Sequence, residues 1–302
     1  MKTFLEAERQ CRATYDMCGE TYHAYTSGKE MPILFTNAGD LAFAMNVVAF
    51  AAFLFRDSVR ILAFEIMDNH FHFVISGTRQ SIGDFFQRIV RKAKRTIPLA
   101  GQMRLSIKPI QDLPSMRNTI AYTNRNGYVA NPSHTPFSYP WGTGRYYFNV
   151  FPTFWTFNDI GYLQNRSMFR GDNVKLPSDW QVVDLHSTPY IAPPSFCNIS
   201  LGMAMFRDAH HYFSMVSKNV EAYSSIAVDL DDGEFLTDQE LFSQLQKIVR
   251  EQYRLGSLRD LSNAQKLDLA RTLHYDYRSS NGQIRRVLGL NQYDVDQLFK
   301  VH

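Results

Sequence analysis

The chain has 302 residues, a net charge of +3, 45% hydrophobic residues and 20% charged residues. This is the profile of a globular chain with one large domain or two ordinary ones, and it excludes a polycationic binder, so any affinity for nucleic acid has to come from a local patch. Cys11, Cys18 and Cys197 are odd in number and contain no C-x-x-C pair, which supports neither a zinc knuckle nor a disulfide framework and fits a reducing cytoplasm.

Residues 1–12 are charged and lack the apolar stretch of a secretory signal. Residues 21–27 are rich in aromatic and β-type residues and end at Gly28, which predicts a strand. Asn37, Ala38, Gly39 and Asp40 offer helix-start chemistry before the apolar run 41–55. That run is bounded by Asp40, Arg56 and Asp57 and is shorter than the roughly 20 residues of a membrane-spanning helix, so it reads as a buried helix and no membrane partner is expected. Residues 59–67 predict a second strand, Asp68-Asn69 a turn, and 71–76 its antiparallel partner.

A helix opening at Ser81 carries Phe85, Phe86, Ile89 and Val90 on one face and Arg88, Arg91, Lys92, Lys94 and Arg95 on the other, and Pro98 and Gly101 end it. Residues 104–110 predict a fourth strand. Pro114 suits the first turn of a further helix, running to about Asn126-Gly127. The order strand, helix, strand, strand, helix, strand matches the split β-α-β pattern of a ferredoxin-like (βαββαβ) α+β domain.

Residues 139–198 are rich in aromatics, Pro, Asn and Ser without a clear period, and read as an irregular connection packed across the first domain. The helical period returns from about residue 201. An acidic loop at 229–234 precedes Thr237-Asp238-Gln239-Glu240, a helix-start signature. Helices are expected near 263–275, 280–288 and 291–299, with a Gly289 turn between the last two. These three helices resemble a DNA-binding helix-turn-helix, with a generic α-helical cap as the plainer alternative.

Two segments carry chemistry. In Asn69-His70-Phe71-His72-Phe73, strand alternation puts both imidazoles on one side and both phenyl rings on the other. Paired imidazoles can bind a divalent metal, and such pairs also occur as plain surface histidines. On the later helix, Tyr122 and Asn126 are four apart and share a face. That face offers a phenol nucleophile and a carbonyl ligand, or an ordinary helix end with a partly buried tyrosine. Between them, six cations from Arg79 to Arg95 with Asp84 the only acid suggest a backbone track for nucleic acid at Arg88, Arg91, Lys92 and Arg95. His210 and His211 are adjacent on a helix and cannot face one ion together.

Taken in order, these residues resemble the REP-associated tyrosine transposases, in the single-tyrosine branch of the HUH nuclease superfamily. The resemblance rests on Met67-Asp68-Asn69-His70-Phe71-His72, on Tyr122-Thr123-Asn124-Arg125-Asn126-Gly127, on Tyr22-His23-Ala24-Tyr25, and on Tyr139-Pro140-Trp141, and it covers residues 20–142. One departure is plain: the family's Asn-Pro is Asn126-Gly127 here. Tyr128, six residues from Tyr122, is a rival nucleophile on a different helix face or beyond the helix end.

The resemblance implies a catalytic domain over residues 1–144, a connection over 145–200 and an α-helical domain over 201–302. It implies Tyr122 as nucleophile, His70, His72 and Asn126 as ligands of Mg²⁺ or Mn²⁺, and single-stranded or hairpin DNA as the partner. Cleavage would yield a 5′-phosphotyrosine and a 3′-OH, and rejoining would need no ATP, in keeping with the lack of a G-x-x-x-x-G-K-[ST] segment. The sequence is compatible with a monomer or a homodimer. Gly127 points to an alternative, a catalytically inactive DNA-binding relative of the same fold. An RNA-binding sheet is a third reading, disfavoured because histidines occupy the strand face where stacking aromatics would be needed.

Overall fold

A computed structural model of the chain describes residues 3–28, 31–130, 134–135, 138–149, 157–164, 174–185, 187–218, 238–275, 277, 279 and 281–299. The chain forms two compact units, residues 1–128 with 133–219, and residues 129–132 with 220–302. The fold is mixed α+β with a small antiparallel sheet.

The charged N-terminus forms a helix, α1 (Phe4–Asp16), closed by a capping box in which Thr3 and Glu6 exchange side-chain to backbone bonds. Strand β1 (Thr21–Thr26) follows. The apolar run becomes α2 (Ala38–Leu54), started by Asn37, whose side-chain oxygen accepts from the Asp40 amide at 3.1 Å. It is buried almost continuously from Ala42 to Ala52, as a helix without a polar face must be. Strands β2 (Val59–Ile66) and β3 (Phe71–Gly77) form a hairpin, α3 (Arg79–Ala93) starts on Thr78, and β4 (Leu105–Pro109) completes the sheet. The order is β2-β3-β1-β4 with every neighbouring pair antiparallel.

Strand alternation divides the sheet into two faces. Phe73 meets Phe85 of α3 edge-on at 5.6 Å between ring centroids, so the phenylalanine face packs against α3. The histidine face meets α4 (Leu113–Ala130). This helix runs past the end expected at Asn126-Gly127. Gly127 is an interior residue with no left-handed backbone, and Tyr128 lies within the helix.

The segment expected to be irregular is partly built. Residues 141–143 line the outer edge of β2: Ile66 N–H donates to Trp141 O at 2.8 Å and Thr143 N–H to Phe64 O at 2.9 Å. Further on, β5 (Phe157–Asp159), β6 (Gln181–Leu185) and β7 (Thr188–Ile191) form a three-stranded antiparallel sheet. It docks on α2 through Asn46, whose amide donates to Pro189 O at 3.1 Å and accepts from the Ile191 amide at 2.8 Å. Ala49, Phe50, Ile160, Leu163, Val182 and Ile191 share the core beneath it. Helix α5 (Gly161–Gln164) and helices α6 (Ile199–Met203) and α7 (Ala209–Lys218) also belong to this first unit, so residues 201–219 stand with the first unit and not with the helices that follow.

In the second unit the described residues form α8 (Asp238–Gln252), α9 (Asn263–Tyr275), α10 (Asn281–Leu288) and α11 (Gln292–Leu298) around Leu241, Leu245, Leu269, Leu273, Ile284 and Val295. Gly289, at φ +64°, makes the expected turn between the last two helices. The acidic stretch 229–234 and Thr237 lie outside the described residues. Among the described residues no helix is long and apolar enough to cross a membrane.

Candidate active site

The site lies between the histidine face of the sheet and α4. Register decides its membership. On β3, His72 stands opposite Tyr25 of β1 on one side and Glu65 of β2 on the other. His23, two residues before Tyr25, shares that face. Above them the Tyr122 ring lies edge-on to His72 at 5.6 Å and to His23 at 6.1 Å. His70 and His72 are 5.0 Å apart between ring centroids. Asn126 follows Tyr122 by one turn on the same helix. The expected nucleophile therefore lies beside His72, one of the expected histidine pair, within one chain.

Hydrogen bonds fix which nitrogen His70 offers. The Asn69 amide donates to Gly28 O at 2.9 Å and to Met31 O at 2.8 Å, which orients its oxygen toward His70 Nδ1 at 2.6 Å. An amide oxygen only accepts, so the proton is on His70 Nδ1 and Nε2 carries the lone pair of the neutral ring. Gly28 makes this possible, because a Cβ there would approach His70 Nδ1 to 2.8 Å. His72 Nδ1 is 3.2 Å from His23 Nε2. With His72 as the donor in that pair, its Nε2 also carries a lone pair. Two imidazole nitrogens held by bonds at their far side make an oriented donor pair of the kind metal sites use.

The third expected donor is Asn126, whose buried side-chain nitrogen has no hydrogen-bond partner among the described residues. An amide nitrogen there donates to an anion, and the amide turned over offers oxygen to a cation. Among the described residues no three His, Cys, Asp or Glu side chains group at metal-ligand spacing. The expected donors would be two imidazoles and an amide, a neutral set of the kind that takes a divalent cation together with phosphate and water oxygens.

Glu65 is a participant that sequence reading did not single out. It is 1% exposed, accepts from the Gly127 amide at 3.0 Å through Oε1, and has no partner for Oε2 among the described residues. Burial pushes its carboxyl well above the usual range, while the Gly127 bond pulls the other way. A carboxylate following the apolar run 61–64 in β2 was the available signal. His23 was visible only as part of a resemblance motif, and register is what joins it to His72.

The site is closed. Tyr122 is 2% exposed, His70 3%, His72 0% and Asn126 1%. Helix α4 is held from its other side, by the Asn124 amide donating to the Tyr212 hydroxyl at 3.1 Å and Arg125 donating to Val216 O at 3.0 Å.

The four cations expected to track DNA divide in two. Lys92 is buried with its ammonium 4.7 Å from the Phe50 ring centre, and Arg88 is half-buried with its guanidinium 5.2 Å from the same ring. Arg91 and Arg95 are exposed. The helix period explains this: positions 88 and 92 are one turn apart on the flank nearest α2. His210 is exposed, whereas His211 accepts from the Arg207 amide at 3.3 Å. Comparison with protein families, with curated proteins and with solved structures finds no match to this chain.

Proposed function

We propose that this chain cuts and rejoins single-stranded or hairpin DNA through Tyr122, on a ferredoxin-like sheet followed by an α-helical C-terminal domain. The observation that carries the reading is the meeting of Tyr122 with His72 at 5.6 Å beneath one helix, with Asn126 a turn away. The antiparallel order β2-β3-β1-β4, with crossovers through α2 and α3, supports the ferredoxin-like assignment. The Gly289 turn between two short helices supports a helix-turn-helix-like end.

His70 Nε2, His72 Nε2 and the Asn126 carbonyl oxygen would hold Mg²⁺ or Mn²⁺. An ion held by these residues would supply polarisation of the scissile phosphate and offset the charge that builds on it. The chain's own groups do the rest. Asn69 and His23 orient the two imidazoles. The Tyr122 phenol loses its proton as its oxygen attacks phosphorus. The bond from phosphorus to the 3′ oxygen breaks, and that oxygen leaves with a proton as a 3′-OH. The reverse attack rejoins the strand, so the phosphotyrosine conserves the bond energy.

The burial of Tyr122 favours a second reading, a DNA-binding relative that no longer cleaves. A labelled hairpin oligonucleotide with Mn²⁺ separates the two on a denaturing gel. The first reading expects a covalent adduct that Tyr122→Phe abolishes. Equal adduct from wild type and Tyr122→Phe would discard Tyr122 as nucleophile. Hairpin binding without adduct in any metal would establish the second reading.

A further inference from the structure

A cavity of about 820 Å³ opens between α3 and β4, on the side of the sheet away from β2. Its rim carries Arg79 and Arg91 from α3, Arg104 from the turn before β4, and Lys108 from β4 itself. No acidic residue lines it. Arg79, Arg91 and Arg104 are exposed, and Arg104 is steadied by donating to the Gly101, Gln102 and Met103 carbonyls. The floor between the cations is apolar, with Phe86 and Val90 among its residues. Tyr25 of β1, the strand beside β4, also borders the cavity, while its ring lies on the histidine face of the sheet, 6.3 Å from the His72 ring.

We infer that this groove, at the β4 edge of the sheet, is a seat for the single DNA strand; the inference rests on the function proposed above. A cationic rim over an apolar floor matches a nucleotide chain, with phosphates on the rim and base faces on the floor. The shape selects a single strand. Reading a duplex takes a protruding helix or ribbon that enters its grooves, whereas a concave cleft accepts a flexible strand. The division of the basic helix follows from this: Arg91 serves the groove, while Arg88 and Lys92 are turned to Phe50. Gly83 sits in the groove wall, and a Cβ built on it meets nothing within 4 Å.

The test is fluorescence anisotropy of the full chain with a labelled single strand across a salt series. The triple substitution Arg79→Gln, Arg91→Gln, Arg104→Gln is compared with a charge-matched triple at Arg9, Arg12 and Arg56. Each lost phosphate contact to a single strand removes about 0.7 from the slope of log K against log salt, so the groove triple should flatten it by about 2. The control triple should leave it unchanged. Gly83→Met, which adds bulk without changing charge, should weaken single-strand binding at least tenfold and leave the melting temperature in place. Equal flattening by both triples, or full binding by Gly83→Met, overturns the groove. Tighter binding of duplex or of RNA of the same sequence also overturns it. Loss of the Tyr122 adduct with these binding effects intact would remove the catalytic reading and leave the groove standing.

Discussion

The Gly127 amide donates to Glu65 Oε1 at 3.0 Å, joining the interior of α4 to the C-terminal end of the buried strand β2. A Cβ at position 127 would overlap both Glu65 Oε1 and the Tyr139 ring. Position 127 therefore needs an N–H and no side chain. This explains why the Asn-Pro of the resemblance is Asn-Gly here: proline would remove the donor and drive its ring into Tyr139. Gly127→Pro should cost about 3 kcal/mol or more in urea unfolding, from the lost helix bond and ring clash alone. Glu65→Gln, which keeps a neutral acceptor of the same shape, should cost under about 1 kcal/mol. A Gly127→Pro variant as stable as wild type would dismiss this account.

Asn46 acts as a strand edge for β7, supplying one donor and one acceptor from the middle of a buried helix. Asn46→Leu would leave the Ile191 N–H and the Pro189 carbonyl buried without partners. At about 1–3 kcal/mol for each such group, a loss of about 3 kcal/mol in unfolding free energy is expected. A loss below about 1 kcal/mol would mean that water or a shifted strand replaces the amide.

Asn46 also marks where the sequence stops being readable. The strands of the main sheet and helices α2 to α4 are legible because alternation and the 3.6 period persist for several residues. Strands β5 to β7 are three to five residues long, too short for a period to emerge. Their order comes from tertiary partners such as Asn46, which carries no local sign of its role. The site divides in the same way. His70, His72, Tyr122 and Asn126 stand out by spacing along one element. Glu65 and His23 join them only through cross-strand register, which no single segment encodes.

His211 provides a pH signature. Burial, then the Arg207 and Arg117 cations, depress its pKa to about 4, while Glu8 and Asp208 act in the other direction. Its neutral Nδ1 accepts from the Arg207 amide. The unfolded chain takes up a proton near the ordinary value of 6.5, and the folded chain resists until about 4. Between those values the unfolded state binds more protons, so stability falls as pH drops from 6.5 toward 4 and this contribution levels off below. Replacing His211 by Gln should flatten the wild-type slope of urea midpoint against pH in that window. An unchanged slope would assign the acid sensitivity elsewhere, for example to Glu8, whose carboxyl Arg117 holds below its usual range.

The Asn69 amide sets the tautomer of His70, and that relation can be tested without DNA. With Asn69 tied to Gly28 and Met31, its oxygen keeps the proton on Nδ1 and the lone pair on Nε2. Asn69→Ala removes this constraint, and the ring then divides its population between tautomers and orientations. Supports of this kind are worth about 10- to 100-fold in metal affinity. Mn²⁺ titration followed by electron paramagnetic resonance should show that loss for Asn69→Ala, and a comparable or larger one for His72→Ala. Asn69→Asp keeps an accepting oxygen at Nδ1, so it should retain more affinity than Asn69→Ala. Wild-type Mn²⁺ affinity in Asn69→Ala would show that nothing at this position orients His70. The pair His70 and His72 would then have to act through Asn126 and the sheet alone.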